Sequence, residues 1–332
     1  MCKNTKLTNV VGAVNEALLE IEANKSLYGL DDVAFDRLYI GDQVPTYTLQ
    51  NDHYMKTDYE LYPLYINNKL ACFAIIRSKS DGYFAQIDAS LSHLINNTIN
   101  LEEEYALVYD RNSCYYITNS DAIKLVDHEP CLERSVFSID TYKMDKNRNL
   151  NYCSVSPKQS IQYDADRNLN GLRSQIFLNV GFDILPATDH YCWACCVANI
   201  GNYLKQQNYS GYNIAYWYYG TNYNQGASLS VSMSVLNSFY SLNYYNTGTF
   251  AYYTIYNNLT NYYPLFVDCS VSGSTNGHAV VICGLILETG TLTVMDPNFS
   301  VGYISVYNNY GYSYVSSVSG NTIYLNVLGA AL

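Results

Sequence analysis

Residues 190–196 read His190-Tyr191-Cys192-Trp193-Ala194-Cys195-Cys196, and Gly277-His278-Ala279-Val280-Val281 and Met295-Asp296-Pro297-Asn298 follow far downstream. A thiol, an imidazole and a carboxylate in that order can act together. The thiolate attacks a carbonyl carbon, the imidazole takes and returns the proton, and the carboxylate fixes the imidazole's tautomer and supports its charge. Such a thiol belongs where negative charge is favoured. Trp193, Val197, Ile200 and Leu204 recur at helical spacing, and Thr188 or Asp189 just upstream can accept hydrogen bonds from first-turn amides, so the spacing predicts a helix opening at Cys192. The partial positive charge of a helix N-terminus favours thiolate over thiol.

The other two groups need strands to carry them. His278 follows the polar stretch 270–277 and opens the apolar run Ala279 to Cys283, which reads as a buried strand. A second strand, Thr291 to Met295, returns beside it after a turn at Thr289-Gly290 and ends at Asp296. In a hairpin the two strand ends become neighbours, so a separation of 18 residues lets Asp296 reach the imidazole.

Cys192-Trp193-Ala194, Gly277-His278-Ala279-Val280 and Met295-Asp296-Pro297 resemble the papain-like cysteine proteases, most of all their compact bacterial members, the C39-like, staphopain-like and AvrRpt2-like peptidases. The resemblance covers roughly residues 176–332, with its parts in the family's order. It implies an α+β papain-like fold, a helix plus antiparallel sheet or barrel lobes, and a thiol-dependent endopeptidase acting on peptide or protein substrates. It also implies Cys192 as nucleophile, His278 as base and then acid, Asp296 as the residue that orients His278, and no metal or organic cofactor. One departure stands out. Such enzymes carry a glutamine about six residues before the nucleophile, and Pro186 stands there, with no N–H to donate. Thr188, His190 or a displaced Gln175 is then a candidate oxyanion donor, alongside the Cys192 amide. Asn298 is a second candidate to orient His278.

Composition narrows the class. With 48% hydrophobic residues the 332-residue chain has core material for two domains. A formal charge of -11 argues against nucleic acid as partner, since phosphate contacts need clustered Lys and Arg. No run approaches the roughly 20 apolar residues of a membrane span. The start, Met1-Cys2-Lys3-Asn4-Thr5, lacks a signal-type apolar core, so the expectation is cytoplasmic if that N-terminus is native, and secreted or cell-surface if a leader was removed. Ten cysteines are too scattered for a disulfide framework in a chain this size, and most read as buried free thiols.

Charge divides the chain in two. Residues 151–332 hold only 4 basic and 7 acidic side chains but 24 of the 37 tyrosines, so the second half solvates itself with Tyr, Asn, Ser and Gly. The first half reads as a helix over 8–24 followed by short strands at 37–40, 44–50, 59–67, 70–78, 83–88, 105–109 and 114–118, an antiparallel meander. We therefore expect an α+β domain over 1–142, an exposed linker with processing sites over 143–175, and the catalytic domain over 176–332. By analogy with staphopain-like zymogens the first would be a cystatin-like prodomain, an intramolecular inhibitor of the second.

Other chemistry is open to the same residues. Cys192-Trp193-Ala194-Cys195 is also a Cys-x-x-Cys, a dithiol redox pair in a thioredoxin-like setting, but the segment before it reads as linker and the region after it as loop-rich. Zinc held by Cys192, Cys195, His190 and His278 lacks the second ligand pair such sites use. The triad also serves acyl transfer in a transglutaminase-like or peptide-ligating enzyme, and the missing glutamine favours a catalytically weak or silent binding protein.

Overall fold

The computed structural model describes residues 2–50, 53–79, 82–98, 104–110, 113–118, 122–125, 150–151, 157–160, 175–186, 189–246, 250–299, 303–308, 311–317 and 319–331. The chain divides into two compact units, one of residues 1–171 with 317–320, the other of 172–316 with 321–332. Among the described residues no helix is long and apolar enough to cross a membrane.

The first unit opens with α1 (Cys2–Ile21), which runs on as a 3-10 helix to Tyr28. Val10, Val14, Leu18 and Ile21, spaced by three and four, are its buried stripe, and it packs on the strand at 82–88. The strands are β1 (Tyr39–Gly41), β2 (Thr46–Gln50), β3 (His53–Lys56), β4 (Glu60–Ile66), β5 (Lys69–Lys79) and β6 (Gly82–Asp88), then, after α2 (Ser90–Thr98), β7 (Tyr105–Asp110), β8 (Ser113–Thr118), β9 (Ala122–Leu125) and β10 (Pro157–Ser160).

The expected single meander is two five-stranded sheets, β10-β1-β4-β5-β6 and β3-β2-β7-β8-β9, and β2 lies parallel to β7. Sequence-adjacent hairpins read correctly from turn chemistry. Asn67 and Asn68, both at positive φ, close β4 onto β5 as a two-residue loop in which asparagine tolerates that conformation. The β2–β7 pairing joins residues about 60 apart and leaves no local trace. The expected linker needs correction too: within 143–175, Pro157–Ser160 forms β10 and pairs with β1, while 143–149, 152–156 and 161–174 lie outside the described residues.

The second unit contains β11 (Gln175–Phe177), α3 (Cys192–Lys205), α4 (Gly211–Tyr219), α5 (Leu229–Tyr240), β12 (Tyr244–Asn246), α6 (Tyr252–Thr260), β13 (Leu265–Val271), β14 (His278–Ile286), β15 (Thr291–Met295), β16 (Ile304–Val306), β17 (Ser313–Val315) and β18 (Thr322–Ala331). Its sheet runs β12-β18-β13-β14-β15-β16, with β11 added to β14 and β17 to β18. Helix α3 is buried from Trp193 to Gly201, packed on β13 and β14 on one side and on α4 and α5 on others. The region after Lys205 is helical, not loop-rich. Its tyrosines stud α4, with Tyr212, Tyr216, Trp217 and Tyr218 exposed while Ile214 and Ala215 face inward. Tyrosine is amphipathic enough to leave the helical period hard to read in such a segment.

Candidate active site

Cys192 is the first residue of α3, partly exposed, on a helix whose next nine residues are buried. Among the described residues no side chain caps the helix. The cap position is Tyr191, which makes no side-chain bond to the first turn; Asp189 instead accepts from Asn224 Nδ2 at 3.0 Å, and Thr188 lies outside the described residues. Asn224 also accepts the His190 backbone N–H at 2.6 Å, and Trp193 Nε1 donates to the Gln225 carbonyl at 2.9 Å. Tyr191 and Tyr223 meet edge to face. The segment entering the helix is thus pinned by the 223–225 loop, which fixes where the Cys192 thiol emerges.

His278 and Asp296 arrive by the hairpin the sequence predicts. β14 pairs with β15 antiparallel, closed by Gly290 at φ 68°, with Ile286 opposite Thr291 and, past a register shift between Ile282 and Gly284, Val281 opposite Met295. Continued one step, that register sets Asp296 opposite Val280. Side chains alternate faces, so Val280 shares a face with His278, and Asp296 becomes the diagonal neighbour of the imidazole. His278 Nε2–H donates to Asp296 Oδ1 at 2.7 Å, with side-chain exposures of only 6% and 1%. With Nε2 taken, Nδ1 is the nitrogen left for the Cys192 thiol, which is near enough to act on the ring's titration.

Burial alone would lower the imidazole's pKa, but the charge and hydrogen bond of Asp296, with a further contribution from Cys192, more than offset it and hold His278 well above its usual 6.5. That direction favours an imidazolium beside the thiol. The other described thiols are of a different kind. Cys72, Cys114, Cys195, Cys196, Cys269 and Cys283 are buried, and burial pushes each of their pKa values up, so they stay protonated.

Sequence reasoning missed Tyr314. Its hydroxyl donates to Asp296 Oδ2 at 2.5 Å from a fully buried position on β17. In a chain with 37 tyrosines nothing local marks that one. Asn298 lies at the site, but through its backbone: its N–H donates to Asp296 Oδ1 at 2.8 Å, while the carboxylate meets His278. His190 is exposed and held by its main chain. Gln175 lies on β11 opposite Ile286, eight residues along β14 from His278, or about 27 Å at strand rise. That distance rules it out as a displaced oxyanion donor. Pro186 is exposed, and its carbonyl accepts the Asp189 N–H in a turn.

A buried carboxylate–imidazole pair, with a thiol at the start of a central helix and an antiparallel sheet behind it, is an arrangement suited to a cysteine-type peptidase. Within that class, residues 174–314 match the family described as papain-like cysteine protease AvrRpt2, a stretch that is less than half of the chain. Among solved structures, a Bacillus anthracis protein assigned provisionally to the C39-like peptidases is similar at 13% identity and TM-score 0.33, over 48% of this chain and 98% of that one. No curated protein matches. The protein is a cysteine-type peptidase, and its substrates are proteins or peptides.

Proposed function

We propose that the second unit cleaves peptide bonds through a Cys192-His278-Asp296 triad. The observation that carries this reading is the buried His278–Asp296 hydrogen bond, 2.7 Å long, whose imidazole has its second nitrogen free for the thiol at the start of α3. The Cys192 thiolate, paired with the His278 imidazolium, adds to the scissile carbonyl. The oxyanion that forms is met by the Cys192 amide at the helix N-terminus. His278 then gives its proton to the leaving amine, freeing the first product and leaving an acyl-thioester. Water adds to the thioester as His278 takes its proton; the C–S bond then breaks, releasing the acid product and the Cys192 thiolate, which with the protonated His278 restores the starting pair. Asp296 holds the ring through its bond to Nε2.

We also read residues 1–142 as a domain that restrains the second unit until the chain is cut within 143–175. What supports this is the organisation of the chain, a separately packed α+β unit ahead of the peptidase unit. Purified wild type and Cys192→Ala, incubated with a reductant and followed by intact mass spectrometry, test both readings. Expected is a fragment beginning within 143–175 from wild type alone, and hydrolysis of dye-labelled casein by wild type alone. Casein hydrolysis by Cys192→Ala would overturn the triad. An uncut wild type that hydrolyses casein would overturn the restraint. Products carrying an added amine in place of water would make the enzyme a transferase.

A further inference from the structure

We propose that Tyr314 is a positioning residue, its phenol O–H locking the Asp296 carboxylate in the orientation that presents Oδ1 to His278. This rests on the triad assigned above. Asp296 stands one residue beyond Met295, the last paired residue of β15, so strand pairing does not fix its side chain. His278 Nε2–H and the Asn298 N–H both donate to Oδ1. With only those two donors the carboxylate would leave Oδ2, an ionised acceptor on a residue 1% exposed, without a donor, a costly arrangement. The phenol of Tyr314 fills that place at 2.5 Å. Donors on both oxygens hold the carboxylate plane against rotation. Burial first, then the charge of Asp296, hold the phenol's pKa well above 10, so it remains a donor across the working pH range.

The donor is itself fixed by elements other than the β14–β15 hairpin. Tyr314 is paired to Ile323 across β17 and β18, and the Phe299 ring meets it edge to face at 6.4 Å. Carboxylate and clamp thus come from separate parts of the sheet.

Tyr314→Phe keeps the ring and its packing and deletes the O–H. Three readouts are taken: kcat and KM on dye-labelled casein, the far-downfield proton resonance of the His278–Asp296 hydrogen bond, and the melting temperature. Tyr303→Phe is the control, since it removes another largely buried hydroxyl, bonded to the Gly181 carbonyl at 3.2 Å. Expected for Tyr314→Phe is a fall of about 10- to 100-fold in kcat with KM unchanged, and a downfield resonance that broadens or is lost. Tyr303→Phe lowers the melting temperature without either effect. A wild-type kcat and resonance in Tyr314→Phe, or an equal kcat loss in Tyr303→Phe, overturns the proposal. If Tyr314→Phe does not fold, 3-fluorotyrosine placed at position 314 alone changes the donor's strength at nearly constant volume; the resonance then shifts, and an unmoved resonance overturns the proposal. Asp296→Asn separates the two readings. If it too is fully active, the triad fails; if it is crippled while Tyr314→Phe is not, the clamp alone fails.

Discussion

Asp296→Asn deletes one charge from a buried pair while changing its volume little. In the native site that charge lies 2.7 Å, oxygen to nitrogen, from His278 Nε2, and both side chains are almost fully buried. Unit charges about 4 Å apart at an effective dielectric near 20 attract by about 4 kcal/mol, or about 1000-fold in an equilibrium constant. That attraction is what overcomes the desolvation of the imidazolium. In Asp296→Asn the desolvation remains and the compensation is gone, so His278 loses its proton at lower pH than in wild type. The imidazolium beside Cys192 becomes scarce, and the asparagine can no longer hold the ring in one tautomer. Together these give a fall in kcat of about 1000- to 10,000-fold. The assay is casein hydrolysis from pH 4 to 10, with iodoacetamide alkylation of Cys192 followed in parallel. Expected are the rate loss and a displacement of the alkaline limb to lower pH. An Asp296→Asn enzyme with the wild-type rate and the wild-type alkaline limb would refute the electrostatic account.

The same pair gives a stability signature. Because the folded-state pKa of His278 is raised, its contribution to stability is complete below its ordinary 6.5 and is lost as pH rises through the folded-state value. Melting temperatures of wild type should therefore decline through the alkaline range, and those of Asp296→Asn should decline less; parallel curves would contradict this. Gly284→Ala attacks the hairpin that carries both groups. A Cβ there would sit 2.7 Å from Thr293 Cβ across β14 and β15. Overpacking of this kind costs about 1–3 kcal/mol; the expected readout is a lower melting temperature, and a wild-type one would show that the strands yield at no cost.

What was legible in the sequence is what local chemistry encodes. Cys192 announced itself through the helical spacing of Trp193, Val197 and Ile200, and the β14–β15 hairpin through two β-branched runs around Thr289-Gly290. The register was not legible: only a shift between Ile282 and Gly284 sets Asp296 on the face of His278, and without it Asp296 would stand opposite Val281, on the other face. Features decided by distant partners were not legible. Asp189 has the right chemistry for a cap, yet Asn224, 35 residues on, claims its carboxylate. Helix α2, rich in Ser and Asn, is weak by propensity and starts because Asp88 accepts the Ser90 N–H at 2.8 Å. The parallel β2–β7 pair split the expected meander into two sheets, and β10 recruited part of the expected linker. Tyr314 is invisible among so many tyrosines until β17 brings it under Asp296.

The most direct test of the central claim, that Cys192 is the nucleophile activated by His278, is site mapping with an epoxysuccinyl alkylating reagent. Native wild type and His278→Ala are treated under reducing conditions and digested, and the label is located by peptide mass spectrometry among the ten cysteines. The account predicts a single label, on Cys192, in wild type and none in His278→Ala. Label on another cysteine in the native protein, or equal labelling of Cys192 without His278, would contradict it.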